Sequence, residues 1–223
     1  MGLAWCIAGC AGAGIRPPRE RGPFEKVDLV EVRAVQPGLR LDVRYATSNN
    51  FVGRPVYARP MAFLQRPAAM ALGRAHDRLA RHGYGIVVFD AYRPWSVTRL
   101  FWEWVPPSQR EYVADPAKGS RHNRGCAVDC ALFDLRTGRE APMPSAYDEP
   151  TVRSHADFPG GTAEARHARD LLRSAMEAEG FMVLPNEWWH FDFREWRRYP
   201  VLDVPFERIG RTSPALQRGG TRW

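Results

Sequence analysis

Ser120-Arg121-His122-Asn123-Arg124-Gly125-Cys126-Ala127-Val128-Asp129-Cys130-Ala131-Leu132-Phe133 runs from a polar turn straight into an apolar stretch. The stretch from Cys126 to Leu135 predicts a buried strand, closed by the turn Arg136-Thr137-Gly138-Arg139. Gly125 stands at the junction, where a residue without a Cβ permits a turn or a close backbone approach. A carboxylate inside such a strand is costly to bury unless it is paired or bound to a metal ion. Asp129 is that carboxylate, and His122 on the entry loop can face the same cavity. Singly, a loop histidine and a strand aspartate have ordinary structural partners; the spacing S-x-H-x-x-G-x-A-x-D gives the pair its weight.

Working outward, Ile86-Val87-Val88-Phe89 is a second continuous apolar run and predicts another buried strand. It ends at Asp90-Ala91-Tyr92-Arg93-Pro94, where Pro94 keeps Arg93 out of the helical region and at the strand end. Pro67 opens a helix to about Arg81, with Ala68, Leu72, Ala75 and Leu79 on its apolar face and Gly83 closing it. Further helices are expected from about Trp95 to Val105 and from about Thr162 to Glu179, the last capped by Gly180, with a short helix after Pro106-Pro107. Leu29–Val32 and Leu41–Tyr45 read as short strands, and residues 139–162 as a loop-rich insertion. Phe181–Leu184 and Trp189–Phe193 predict a hairpin across Pro185-Asn186. Helices alternating with few strands give an α+β fold, a small central antiparallel sheet flanked by helices.

The hairpin carries the second constellation, Glu187-Trp188-Trp189-His190. Three residues apart on a regular strand, Glu187 and His190 would face opposite sides. For both to reach one ion, Glu187 must precede the strand or sit at a bulge. The two tryptophans read as core or pocket wall. Two imidazoles and a carboxylate, with a second carboxylate beside them, match a catalytic zinc site, which uses three N/O ligands and keeps one position open, rather than a closed structural site. The residues alone therefore predict metal-dependent amide hydrolysis.

These motifs, in this order and with the D-x-Y-R-P turn and Tyr45-Ala46-Thr47-Ser48-Asn49-Asn50-Phe51, resemble the zinc-dependent D-alanyl-D-alanine dipeptidases of the vancomycin-resistance type over about residues 27–208. The resemblance implies a fold shared with D,D-carboxypeptidases and the hedgehog signalling domain, and one Zn2+ per chain. It makes His122, Asp129 and His190 the zinc ligands, Glu187 the catalytic acid/base and Arg93 the oxyanion stabiliser. Tyr45, Ser120 and Asp148 fall where the family contacts its small D,D-dipeptide, Asp148 on the local match Ala146-Tyr147-Asp148 and on its separation from Asp129. A D,D-carboxypeptidase or endopeptidase acting on peptidoglycan stems, and a non-catalytic zinc-binding module, are the alternatives. Glu187 and Arg93 argue against the last, because a binding module needs neither.

The chain of 223 residues carries a formal net charge of +7, and of its 32 Lys and Arg residues the lysines are Lys26 and Lys118. The arginines are scattered, with no basic run and no nucleic-acid module, so a nucleic-acid partner is not expected. Of the four cysteines, Cys126 and Cys130 are roughly 13 Å apart on an extended strand, too far for a disulfide, and read as small core residues. Residues 1–24 read as a leader or linker, 25–210 as the catalytic domain and 211–223 as a basic tail. Ile7-Ala8-Gly9-Cys10 has the form of a bacterial lipobox, but the basic start and longer apolar stretch of a signal peptide are missing. Two readings stand: a bacterial envelope lipoprotein anchored at Cys10 whose true start lies upstream, or a cytoplasmic protein with a short leader. No stretch approaches the ~20 apolar residues of a membrane span. His76, His82 and His167 are expected at the surface or at helix caps, and His155 near the loop residue Asp157.

Overall fold

The computed structural model describes residues 16–210, so the lipobox with Cys10 and the basic tail lie outside the described residues. In chain order the elements are β1 (Leu29–Glu31), α1 (Val32–Val35), β2 (Arg40–Leu41), β3 (Phe63–Gln65), α2 (Arg66–Ala80), β4 (Tyr84–Asp90), α3 (Trp95–Trp104), β5 (Ala127–Asp134), α4 (Ala163–Ala178), β6 (Phe181–Leu184) and β7 (Glu187–Phe193). Five strands form one sheet in the order β2-β4-β5-β7-β6, and β1 pairs with β3 in a separate ribbon. The α+β architecture is the one expected. The sheet is antiparallel except at its edge, where β2 runs parallel to β4. Among the described residues no helix is long and apolar enough to cross a membrane.

Helices α2 and α4 pack on each other, α2 against β4 and α4 against β5, β6 and β7. Pro67 in the first turn of α2 costs no hydrogen bond, and Ala68, Leu72, Ala75 and Leu79 are fully buried on one face. Fully burying a leucine side chain stabilises by about 1.5–3 kcal/mol. Thr162 caps α4 by accepting from the Ala165 amide at 3.1 Å, and Gly180, at a φ of 88°, ends it. Cys126 and Cys130 are free thiols in the core, as expected.

Two expectations need correction, and one element was not foreseen. The Leu41–Tyr45 stretch is not one strand: β2 stops at Leu41, and Arg44–Ala46 is a single 3-10 turn that brings the Tyr45 ring inward against Phe101, 4.7 Å away. His76 is neither a surface nor a cap residue; it is buried, and its Nδ1 accepts the Ile86 amide of β4 at 3.1 Å. The ribbon strand β3 was not expected. Its Gln65 is fully buried because its side chain accepts from the Asp28 amide at 2.9 Å and donates to the Arg124 carbonyl at 2.9 Å.

Candidate metal centre

The turn before β5 is held from several sides, which fixes His122. Gly125 has a φ of 66°, and a Cβ there would lie 2.4 Å from Leu29 Cδ2, so the expected close approach is real. The Gly125 carbonyl accepts from the Gln65 amide at 2.8 Å. Asn123 accepts from the Ser120 amide at 2.7 Å and donates to the Arg93 carbonyl at 2.9 Å and to Thr98 at 2.8 Å. One amide thus locks the His122 turn to the Arg93 turn.

On β5, Asp129 faces His190 of β7 as a direct cross-strand pair and Asp90 of β4 as another. The β4 register shifts between Val88 and Asp90 to bring this about. His122, Asp129 and His190 are all buried, and one donor atom from each lies within 4.8 Å of the others. His122 Nδ1 lies 2.6 Å from the Ala91 carbonyl, which can only accept, so the ring's proton sits there and Nε2 turns to the cluster. His190 Nε2 engages Asp192 at 2.9 Å, which leaves Nδ1 for the cluster. Asp129 Oδ1 lies 3.0 Å from that Nδ1 and 3.3 Å from His122 Nε2. A carboxylate and two neutral imidazoles, each with its outer nitrogen already hydrogen-bonded, form a donor set that fits a divalent ion such as zinc. Without an ion, burial lowers the His190 pKa, but the hydrogen bonds its ring makes to the Asp129 and Asp192 carboxylates more than reverse this and hold it up at about 10. Burial likewise works to raise Asp129, and His122 and His190 outweigh it, keeping its carboxyl well below the usual range.

Glu187 reaches the same place through an irregular hairpin. Pairing of β6 with β7 jumps from Val183–Phe191 to Leu184–Glu187, so Trp188, Trp189 and His190 bulge out of the β6 register. The bulge breaks the alternation that would have put Glu187 and His190 on opposite faces, and Glu187 Oε2 comes to 3.9 Å from His190 Nδ1. Burial raises the Glu187 pKa, and although His190 opposes it, Asp129 adds to the rise. A carboxyl raised in this way suits proton transfer near neutral pH.

Arg93 lies between the two acidic strand residues. Its Nε and terminal nitrogen approach Asp90 Oδ2 at 2.9 and 2.7 Å, and the same terminal nitrogen lies 3.8 Å from Asp129 Oδ2. Its guanidinium also sits over the Phe101 ring at 4.9 Å and the Tyr45 ring at 5.4 Å. Tyr45 donates to Asp148 Oδ2 at 2.8 Å, and Asp148, at a φ of 58°, is the one non-glycine residue among the described residues with a left-handed backbone. Burial and the nearby Asp129 raise the Asp148 pKa well above the usual range, with Tyr45 pulling against them. Ser120 accepts from the His122 amide at 3.2 Å.

All eight residues singled out from the sequence (Tyr45, Arg93, Ser120, His122, Asp129, Asp148, Glu187 and His190) line one cavity of about 370 Å³. The loop His155 is not among the lining residues. Asp192, Asn123 and Tyr147, which donates to Asp129 Oδ2 at 2.9 Å, were not found from the sequence. Asp192 had a signal, since it lies two residues from His190 on the same strand face. Tyr147 had none, because its contact depends on how a long loop folds back.

Residues 25–204 match the Peptidase_M15 family, described as D-ala-D-ala dipeptidase. The chain belongs to this family. The chain is 33% identical over 193 residues to the D-alanyl-D-alanine dipeptidase of Escherichia coli (strain K12), spanning 86% of this chain and 97% of that one. It is 32% identical to the Enterococcus faecium D-alanyl-D-alanine dipeptidase over 75% of this chain and 93% of that one. Against the Streptomyces coelicolor D-alanyl-D-alanine dipeptidase it is 34% identical, over 75% and 92% respectively. The relatives are bacterial, and the family is one of metallopeptidases, so this chain is a hydrolase with a small peptide substrate.

Proposed function

We propose that the chain cleaves D-alanyl-D-alanine to two D-alanines, with one zinc ion held by His122, Asp129 and His190. When bound, the ion supplies Lewis acidity to a water molecule and to the scissile carbonyl. Glu187 takes the proton of the attacking water and returns it to the leaving amine. Arg93, already desolvated and oriented by Asp90, stabilises the oxyanion that develops on the carbonyl oxygen. Asp148, oriented by Tyr45, pairs with the free ammonium of the dipeptide, and Ser120 lies in the wall that receives the rest of it. The ammonium's positive charge offsets the crowding that raises the Asp148 pKa, so substrate and carboxylate stabilise each other.

The observation that carries this reading is that the donor triad, Glu187, Arg93 and Asp148 share one cavity. The experiment is D-alanine release from free D-Ala-D-Ala by the zinc-loaded protein, beside N-acetyl-D-Ala-D-Ala. Cleavage confined to the free dipeptide is expected. Cleavage of the acetylated compound would replace the reading with a wall carboxypeptidase, and cleavage of neither with a zinc-binding module.

A further inference from the structure

The two oxygens of Asp129 are treated differently. Oδ1 belongs to the donor cluster, while Oδ2 accepts the Tyr147 hydroxyl at 2.9 Å. Arg93 is 3.8 Å from Oδ2, too far for a hydrogen bond, so it acts on that oxygen by charge alone. Tyr147 is not free to follow the carboxylate. Its ring is packed at 4.8 Å from Phe89 and 5.4 Å from Trp189. The loop that carries it is fixed on both sides. Trp188 Nε1 donates to Ser145 at 2.9 Å before it, and the Asp148–Tyr45 bond holds the residue after it.

A carboxylate can offer a metal ion one oxygen or two. A second oxygen would fill the position that a catalytic site keeps open for water or substrate. We propose that Tyr147 is a positioning residue for the metal centre: by engaging Oδ2 it makes Asp129 a one-oxygen ligand and keeps that position open. The inference rests on the metal reading given above and adds a residue that touches neither substrate nor ion. Partners of this kind commonly change metal affinity or activity about 10–100-fold.

The test is Tyr147→Phe, which keeps the packed ring and removes only the hydroxyl. Cobalt(II), which accepts N/O sites of this type, replaces the native ion and reports coordination number by its visible absorption. In the variant the absorption loses intensity as a second Asp129 oxygen binds. The zinc form's kcat falls about tenfold or more with KM close to the parent's. A cobalt spectrum identical to the parent's overturns the inference, whatever happens to the rate. The cobalt readout needs no turnover, so it stands even if D-Ala-D-Ala proves not to be the substrate, a failure that the dipeptide assay alone would register.

Discussion

Replacing Arg93 tests the oxyanion assignment, and the structure dictates which replacement is informative. Asp90 is 1% exposed, and its Oδ2 takes both contacts from Arg93 while its Oδ1 accepts from Tyr57 and the Ala91 amide, each at 2.9 Å. Arg93→Ala would leave that carboxylate buried beside Asp129 without its cation. Breaking a buried pair from one side costs about 3–5 kcal/mol, a large part of a typical ~5–15 kcal/mol stability. Lost activity in the alanine variant would therefore mix catalysis with unfolding. Arg93→Lys keeps the charge but offers a point donor in place of a planar fork. A lysine's donors share one nitrogen, so it cannot span Asp90 and the reacting oxygen as the planar fork does. Losing one oxyanion donor costs about 2.7–4 kcal/mol, or about 10²–10³ in kcat. Because the contact strengthens only in the transition state, kcat and kcat/KM should fall together with KM little changed. Steady-state D-alanine release, metal content by mass spectrometry and a thermal melt on one preparation give the three quantities needed. A folded, fully metallated Arg93→Lys enzyme with kcat within about threefold of the parent, under ~0.7 kcal/mol, would refute the role and leave Arg93 as a partner of Asp90 alone.

Glu187→Gln should keep its metal and lose about 10²–10⁴ of kcat; a variant that turns over at the parent's rate removes Glu187 from proton transfer. Gly125→Ala must adopt a φ of 66° and drive a methyl to 2.4 Å from Leu29 Cδ2, so a loss beyond the ~1–2 kcal/mol of left-handed strain is expected in urea unfolding, and an unchanged midpoint would show that the turn yields freely. The buried His76 has a lowered pKa because of burial, only partly opposed by Asp77, and its Nδ1 must stay unprotonated to accept from Ile86. The unfolded chain, with a histidine pKa of about 6.5, then binds more protons than the folded one, so stability falls as pH drops below that value. His76→Asn keeps an acceptor and removes the titration; its urea midpoint should move less than the parent's between about pH 7.5 and about pH 5.5, and equal shifts would assign the acid sensitivity to other groups.

Much of this site is legible because its residues sit where local rules are strict. Pro94 restricts the residue before it and Gly125 permits a left-handed turn; each effect can be read from one residue type, and the two stand beside Arg93 and His122. The long apolar runs of β4 and β5 announce buried strands, which makes Asp129 conspicuous. The requirement that Glu187 escape strand alternation could also be stated from spacing alone, and the bulge in β7 meets it. What stays hidden depends on distant segments meeting. The parallel pairing of β2 with β4, the ribbon through Gln65 and the Tyr147–Asp129 bond join residues far apart in the chain. His76 misleads for the same reason, since a helical position looks exposed until the strand it packs on is known.

The irregular pairing in the β6–β7 hairpin separates two properties that usually travel together. His190 is registered by β5, through Asp129, whereas Glu187 is registered by β6, through Leu184. An insertion or deletion of a residue near Pro185-Asn186 would therefore swing the carboxylate away while the ion-binding pair on the neighbouring strands kept its alignment. Such a change would separate ion binding from proton transfer without touching a ligand.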